Sequence, residues 1–319
     1  MTSDDIVHRL RAAGSVFAED EAALLRRSTH DDDTLESLVR RRLGGEPLEH
    51  VVGRVELAGL ELSVGPGVFV PRQRTRALLN RTLDTVRAAQ AVGEASARGR
   101  RPRASSQSVV VVEAFCGVAP VATAIVRAFP DAEIHAIDRS PAALRHARTN
   151  LGAGRGVHRG DVLVGLPQYV RGRVDVIAAV PPYVPDGRLD LLPHEARDHE
   201  PHAALLGGAD GLDLARALVE QAPCFLAADG LLLLELHRSQ VAAAATHARA
   251  NGLVVVGQGS TIDTDDVAEN DDAGSAPRPV ATGTFPDDDD QPDDEPDDEP
   301  DDEPDEADLQ TVVLELHLG

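Results

Sequence analysis

The sequence predicts an α/β fold in which a mainly parallel sheet presents a ligand site at the carboxyl ends of its strands. Residues 109–113 are four valines and a glutamate, the unbroken apolar run typical of a strand buried on both faces. The segment FCGVAP leads into VATAIVRAF, whose apolar residues recur at helical spacing, and Pro120 suits the first turn of that helix. The next strand, AEIHAID, ends in Asp138.

This strand, turn, helix and strand-ending acid are typical of a nucleoside cofactor site. Turn amides and the helix N-terminus face one end of such a ligand, and the acid accepts hydrogen bonds from ribose hydroxyls. The turn keeps one glycine, Gly117, where close approach of the backbone favours several, so an ordinary βαβ unit is the alternative. A third short strand, VHRGDV, places Asp161 just past its end. Glu113, Asp138 and Asp161 all lie at strand ends, which favours the cofactor site.

The composition favours a globular protein without a disulfide framework or a membrane span. The 319 residues are 42% hydrophobic and include two cysteines, Cys116 and Cys224. No run of eighteen apolar residues occurs, and the acids near the N-terminus are unlike a signal peptide, so we expect a cytoplasmic protein. Sixteen acids between Asp287 and Asp308 leave the rest of the chain at −7 of the total of −23. That balance argues against a general nucleic-acid-binding surface.

The first 108 residues divide into three predicted parts. Residues 1–48 contain three helices with acids early and arginines late, which predicts a small helical domain. Residues 49–72 alternate polar and apolar side chains around Gly-rich turns, which predicts a β-hairpin bridge. Residues 73–108 begin with a helix, TRALLNRTLDTVRAAQAV, and end in a linker rich in Arg, Ser and Gly.

Four more strands are predicted after the third, with the sequences RVDVIAAV, LLLLEL, LVVVGQGS and TVVLELHLG. The first of them runs into Pro181 and Pro182, which force an extended, rigid exit and present backbone carbonyls and Tyr183 to the same pocket. Residues 260–309 separate the last two strands and contain three PDDE repeats. Frequent proline and like charges predict a disordered acidic insertion within a hairpin, with the last strand at residues 310–319.

The chain resembles the class I S-adenosylmethionine-dependent methyltransferases that modify the glutamine side-chain nitrogen of peptide chain release factors, and more closely their protein N5-glutamine methyltransferase paralogues. The matching stretches occur in family order over residues 6–256 and the last strand: GEPLEHVVG, GVFVPRQRT, AIDRSPAAL, GDVLVGLP, PPYVP, LLPHEARDHEP and GGADGLDLARAL. The resemblance implies a seven-stranded Rossmann-like sheet with an antiparallel last strand. It also implies a methyltransferase domain at 109–259 and an N-terminal helical domain that grips the substrate.

The resemblance implies S-adenosylmethionine as cofactor. Asp138 matches the ribose-binding acid of the family, and Asp161 and Val162 match the pair beside the adenine. The family loop carries three glycines after its acid, and here Phe115 and Ala119 replace two of them. The predicted cofactor-binding residues are Glu113, Phe115, Cys116, Gly117, Val118, Ala119, Asp138, Asp161, Val162 and Val180.

The family's catalytic Asn-Pro-Pro-Tyr reads Val-Pro-Pro-Tyr here, so the predicted catalytic residues are Val180, Pro181, Pro182 and Tyr183. A glutamine amide nitrogen is a poor nucleophile, and the family's asparagine and the adjacent backbone carbonyl orient it toward the methyl group. The Val180 side chain makes no hydrogen bond, and losing that contact costs about 1–3 kcal/mol, or about one to two powers of ten in rate.

The string HEARDHEPH contains four potential metal ligands but matches a polar loop over the family's acceptor site. We therefore predict no metal at His194, Glu195, His199 and His202.

Three functions stay open at the level of sequence. The favoured one is methyl transfer to a protein glutamine, with a release factor as partner, by a monomer that binds neither membrane nor nucleic acid directly. The second is a partner-binding protein that keeps the fold without catalysis. The third is methylation of another amine, such as a nucleic-acid base, against which the acidic surface argues. Cofactor binding separates the first from the second.

Overall fold

A computed structural model of the protein describes residues 1–98, 108–260 and 311–319. Most of the predicted Arg-rich linker and of the predicted acidic insertion lie outside the described residues. The helices are α1 (Ser3–Ala12), α2 (Ala18–Ser28), α3 (Asp32–Leu43), α4 (Leu48–Val52), α5 (Arg76–Arg98), α6 (Pro120–Ala128), α7 (Pro141–Leu151), α8 (His194–His199), α9 (Asp213–Gln221) and α10 (Val241–Ala250). The strands are β1 (Arg54–Leu57), β2 (Leu60–Ser63), β3 (Val110–Ala114), β4 (Glu133–Asp138), β5 (Gly156–Arg159), β6 (Val174–Ala179), β7 (Leu226–His237), β8 (Leu253–Ser260) and β9 (Thr311–Leu318).

Seven strands form one sheet in the order β5-β4-β3-β6-β7-β9-β8. Neighbouring strands are parallel except at β9, which is antiparallel to both β7 and β8. The predicted Rossmann-like α/β sheet with an antiparallel last strand is confirmed. Because the order reverses between β3 and β6, the carboxyl ends of these two strands border a crevice where such sheets bind ligands.

The central strand β3 is buried on both faces, as its valines predict. Val111 packs in an apolar cluster with residues of α5, α6 and α7, whereas Val110 and Val112 pack on the opposite face with residues of α9 and α10. Side chains alternate between the two faces of a strand, so an unbroken apolar run serves both clusters. The sheet is therefore covered by helices on both sides, and its strand ends are held rigidly.

The helices α1 to α4 share a separate apolar cluster that includes Ile6, Leu25 and Val39. The short helix α4 was not predicted, since its sequence lies at the start of the segment interpreted as a hairpin bridge. Arg41 donates to the carbonyls of His50 and Val51 at the end of this helix, so α4 is stabilised by a contact from α3 that its own sequence does not show. The hairpin that follows, β1 with β2, is antiparallel as predicted.

Two further elements are longer than the sequence predicts. Helix α5 continues to Arg98, so the first residues of the segment interpreted as a linker are helical. Strand β7 begins at Leu226, five residues before LLLLEL, because an irregularity in its pairing with β6 accommodates Asp229 and Gly230 within the strand. No helix in the described ranges is long and apolar enough to span a membrane.

Candidate active site

A cavity of about 790 Å³ opens at the carboxyl ends of the parallel strands. Its volume lies within the range of small-molecule and cofactor sites, and its lining is mostly apolar with a few charged groups. All of the predicted site residues except Ala119 line it. Ala119 is fully buried behind the cavity wall, where its amide donates to the Cys116 carbonyl over 2.6 Å.

The loop after β3 keeps a backbone shape that glycine would favour. Phe115, Gly117 and Ala119 have φ angles of 52°, 53° and 63°, in the left-handed region. An L side chain in this region is strained by about 1–2 kcal/mol, and two of the three positions carry one. The Phe115 ring packs against the apolar cluster of α9 and α10 and lines the cavity. The loop thus follows a course around the cavity that favours glycine, although two of its three left-handed positions carry side chains.

Glu113 connects this loop to helix α6 by hydrogen bonds. It is buried, and its two carboxylate oxygens accept hydrogen bonds from the amides of Val121 and Ala122, at 3.2 and 2.7 Å, in the first turn of α6. Burial raises the pKa of Glu113 to about 8, against the opposing effect of the two amides. The carboxyl group therefore orders the loop and the N-terminus of α6 together.

Asp138, the last residue of β4, faces the same loop across the sheet edge. One carboxylate oxygen accepts from the Gly117 amide at 2.9 Å, and the other accepts from the Ser140 amide at 2.7 Å. Each oxygen has a second lone pair, so Asp138 can also accept hydrogen bonds from a ligand in the cavity. The carboxylate fixes the loop and keeps an acceptor edge toward the cavity.

Asp161 and Val162 form a tight turn past the end of β5. The backbones of Asp161 and Val164 exchange two hydrogen bonds, at 2.9 and 2.8 Å, and Val162 adopts a positive φ of 55°. Asp161 is exposed at the cavity, whereas Val162 is buried in its wall. The pair offers one carboxylate and one apolar surface at the end of the cavity formed by β4 and β5.

The segment from Val180 to Tyr183 leaves β6 and forms the opposite wall of the cavity. Val184 exchanges backbone hydrogen bonds with Leu205 and Gly207, at 3.0 and 2.9 Å. A side chain at Gly211 would collide with the Tyr183 carbonyl, so glycine is required for this close approach. The extended exit predicted from the two prolines is thus held against the GGADG loop.

Helix α8 covers one side of the cavity and is tied to other parts of the chain. Glu195, which lines the cavity, pairs with Arg42 of α3. Glu200 accepts from Arg72 at 2.7 Å and from the Val70 amide at 3.3 Å. The segment that the sequence analysis interpreted as a polar loop is therefore a short helix, and its residues Glu195 and Ala196 line the cavity. Within the part of the chain that the structure describes, no group of three or more His, Cys, Asp or Glu side chains is arranged to hold a metal ion.

Two charged residues near the cavity were missed by the sequence analysis. Arg74 lines the cavity and donates to the Tyr183 hydroxyl at 2.7 Å. Glu235, buried in β7, lies 3.9 Å from the Arg74 guanidinium. One sequence signal could have identified Glu235. It is the single acid in the apolar run LLLLEL, whose strand pairs with the strand that leads to Tyr183.

Comparison with known proteins assigns the family. A release factor glutamine methyltransferase from Deinococcus radiodurans is 35% identical over 67% of this chain and 70% of its own length. The chain belongs to the release factor glutamine methyltransferase family. Another member, from Streptomyces coelicolor, is 36% identical over 62% of this chain, and the matched region spans 65% of that relative. No family profile matches the chain.

A third relative carries a different name. The 4-amino-L-phenylalanine/4-methylamino-L-phenylalanine methyltransferase of Streptomyces pristinaespiralis is 34% identical over 67% of this chain and 68% of its own length. This chain is therefore similar at about the same level to proteins named for a release factor glutamine and to one named for an amino-acid amine.

Proposed function

We propose that this protein transfers a methyl group from S-adenosylmethionine to the side-chain nitrogen of a glutamine in a peptide chain release factor. One observation carries the proposal: a single cavity joins the loop after β3, with its surrounding acids, to the Pro-Pro-Tyr segment after β6. Family membership supports the same activity. Cytoplasmic location and a monomeric state stay predictions of the sequence.

The cavity fits the cofactor in size and in chemistry. Asp138 and Asp161 offer carboxylate oxygens for ribose and adenine groups, while Val162 offers an apolar surface for the base. Gly117, with its positive φ and no side chain, lets the loop backbone approach a ligand. S-adenosylmethionine, when bound, supplies an electrophilic methyl group. The acids at this end of the cavity complement its positive sulfonium and ammonium groups.

The chain's own contribution to transfer is orientation of the acceptor. Pro181 and Pro182 line the cavity and fix an extended backbone, which carries peptide carbonyl groups past the end of β6. An amide N–H of the acceptor donates to such a carbonyl, which turns the nitrogen toward the cofactor end. Val180 adds only apolar surface, so the acceptor amide is held by fewer hydrogen bonds than an asparagine would give it. We therefore expect slow transfer.

A free amino acid with an aromatic amine is the second candidate acceptor. The apolar side chain of Val180 favours it, because an aniline nitrogen does not need the amide-binding contact that asparagine provides. The similarity to the Streptomyces pristinaespiralis protein supports this candidate. An acceptor of this type would lie against the apolar wall formed by Val180 and the two prolines.

The test is transfer of a labelled methyl group from S-adenosylmethionine to purified full-length release factor, with 4-amino-L-phenylalanine assayed in parallel. We expect label on the release factor, and no label on a release factor in which the acceptor glutamine is replaced by alanine. Label on the amino acid alone would favour the second candidate. No label on either substrate, with the cofactor bound, would contradict the enzyme proposal and leave the partner-binding alternative.

A further inference from the structure

Glu235 is a buried acid that the proposed transfer does not use directly. It lies near the carboxyl end of β7, one residue after Leu234, which pairs with Ala179, the last residue of the neighbouring strand β6. Its residue surface is 1% exposed, and its Oε2 atom has no hydrogen-bond partner within the described residues. A buried carboxylate is costly unless a charge or hydrogen bond compensates it, so its surroundings determine its role.

Arg74 is the cation that faces this carboxylate. Its Nε lies 3.9 Å from Glu235 Oε1, and the Thr75 hydroxyl also hydrogen-bonds to Glu235. The neighbouring Arg72 is paired elsewhere, with Glu200 at 2.7 Å. On the other flanking strand the residue opposite Glu235 is Val313, which carries no charge. Among the described residues, Arg74 is thus the arginine whose ion pair with Glu235 the structure shows.

Arg74 in turn holds the ring of Tyr183. Its Nη2 donates to the tyrosine hydroxyl at 2.7 Å, and its guanidinium carbon lies 6.0 Å from the ring centroid. At the other end of the residue, the Tyr183 carbonyl accepts from the Gln240 side chain at 2.8 Å. The backbone of Tyr183 is thus fixed by Gln240, and its hydroxyl by Arg74.

We propose that Glu235 and Arg74 are positioning residues for Tyr183, with Glu235 holding the guanidinium and the guanidinium holding the tyrosine ring at the acceptor end of the cavity. The assignment of that end rests on the proposed function. The arrangement itself rests on the ion pair, the hydrogen bond and the complete burial of Glu235. We call these three residues the tyrosine relay.

The tyrosine relay responds to pH because its innermost member is buried. Burial raises the pKa of Glu235 to about 7, while Arg74 and the Thr75 hydroxyl act in the opposite direction. Above this pH the carboxylate attracts Arg74 and the tyrosine ring is held. Below this pH the neutral carboxyl group no longer attracts the guanidinium of Arg74, so the ring of Tyr183 becomes more mobile. Arg72, the other cation near Tyr183, is paired with Glu200, whose pKa is also raised by burial.

The chain provides a direct spectroscopic probe, since it contains two tyrosines and no tryptophan. In a Tyr169→Phe background, Tyr183 is the sole tyrosine, and the tyrosine band of the near-ultraviolet circular dichroism spectrum reports how firmly its ring is held. We expect this signal to rise with pH through a midpoint near 7. Glu235→Gln removes the transition and leaves the weak, low-pH signal at every pH.

A matched control is Glu315→Gln on the neighbouring strand β9. Glu315 forms a bidentate ion pair with Arg81, both distances being 2.7 Å, and it does not line the cavity. This control leaves the tyrosine transition and its midpoint unchanged. Arg74→Met is the second variant, because Arg74 is partly exposed and its loss is tolerated more easily by the fold than a change at Glu235. It lowers the tyrosine signal at every pH.

The proposal is overturned if Glu235→Gln keeps the transition, if Glu315→Gln removes it, or if Arg74→Met leaves the tyrosine signal intact. Binding of S-adenosylhomocysteine to the variants tests the cofactor site independently of the tyrosine relay. We expect the affinity of the Glu235→Gln protein, whose substituted residue does not line the cavity, to match that of the parent. A lost tyrosine transition with retained ligand binding supports the relay, whereas absence of binding in the parent protein itself would contradict the cofactor site alone.

Discussion

At the scale of single residues, Ala119 has a left-handed backbone conformation that favours glycine. Its φ of 63° strains an alanine but not a glycine, while its methyl group is buried. We expect Ala119→Gly to change the free energy of unfolding by less than about 1 kcal/mol, because relief of strain offsets the lost methyl contacts and the added chain entropy.

Ala124, in the middle of α6, is the matched control for this prediction. Its backbone is helical, so Ala124→Gly removes a methyl group and helix propensity without relieving strain, and destabilises by about 2 kcal/mol. Urea unfolding of the two variants measures the difference. Equal destabilisation would show that the left-handed backbone at Ala119 carries no strain.

Val180 is the residue on which the expected slow rate depends. Val180→Asn adds an amide that can hydrogen-bond to the acceptor glutamine, and we expect a rise in methyl transfer of about 10- to 100-fold. Affinity for S-adenosylhomocysteine should change much less. Val180→Ala, which removes apolar surface without adding an amide, is the control. A rise in rate with alanine as large as that with asparagine would refute the role of the amide.

Glu113 makes stability depend on pH. Because burial raises its pKa to about 8, the folded protein keeps a proton that the unfolded chain has already released, and stability falls as the pH rises toward that value. Between about pH 6.5 and about pH 8.5 the free energy of unfolding should fall by about 2 kcal/mol, at about 1.4 kcal/mol per pH unit. The pKa values of His50, His146 and His158 are lowered from 6.5, so these residues affect the free energy of unfolding only below this pH range.

Urea unfolding at several pH values measures this slope, and Glu113→Gln should make it shallower, leaving the smaller fall that the raised pKa of Glu235 adds up to about pH 7. A parent protein whose stability is constant or rises across the range would contradict the burial of an ionisable Glu113. The same experiment tests how firmly the loop and the first turn of α6 are joined, since Glu113 accepts from the amides of both Val121 and Ala122.

Residue identity predicted the acids that line the cavity better than the charged residues around Tyr183. Glu113, Asp138 and Asp161 stand out because each is a polar residue at the end of an apolar strand. Arg74 stands in a turn among other arginines, and no sequence pattern shows that it reaches Tyr183, which is 109 positions away. Long-range pairs of this kind depend on how elements pack, so they became visible only in the structure.

At the scale of elements, the GGADG loop holds the segment that follows β6. A Cβ atom at Gly211 would collide with the Tyr183 carbonyl, and the φ of Gly211 is 77°. Gly211→Ala should therefore displace Tyr183 and lower methyl transfer at least about tenfold, since small displacements of positioning groups reduce rates steeply. Affinity for S-adenosylhomocysteine should fall less than the rate.

Gly187 provides the control in the same region. A Cβ atom there would meet no atom within 4 Å, so Gly187→Ala should leave transfer unchanged. The methyl-transfer assay and the near-ultraviolet signal of Tyr183 measure the effect. Full activity of the Gly211→Ala protein would show that the close approach of the two loops does not position the tyrosine.

Strand periodicity and apolar runs predicted all seven strands of the sheet. The pattern failed where a contact from another element decides the structure. Arg41, which belongs to α3, donates a hydrogen bond to the end of α4. Strand β7 continues through Asp229 and Gly230, two residues that favour a turn, because it pairs with β6 on both sides of the irregularity.

At the scale of the whole molecule, the segment 261–310 enters and leaves the fold at one place. Ser260 pairs with Val312, so the last residue of β8 and the start of β9 lie side by side. Replacing the fifty residues between them with a six-residue Gly-Ser linker should retain the fold. It should raise the free energy of unfolding by about 2 kcal/mol, because three halvings of a flexible loop are each worth about 0.6 kcal/mol.

Chemical denaturation of the shortened protein measures this gain. A large loss of stability would show that the acidic segment contributes contacts to the folded domain, and would contradict its prediction as a disordered insertion. Unchanged transfer to the release factor would further separate the segment from the activity.

The central claim is that a cavity with two replaced glycines still binds S-adenosylmethionine, and calorimetric titration of the folded protein with S-adenosylmethionine and S-adenosylhomocysteine tests it most directly. We predict dissociation constants in the micromolar range, about −8 kcal/mol in binding free energy, and at least about tenfold weaker binding by an Asp138→Ala variant. No binding of either ligand at millimolar concentration, by protein whose circular dichroism shows it to be folded, would contradict the account.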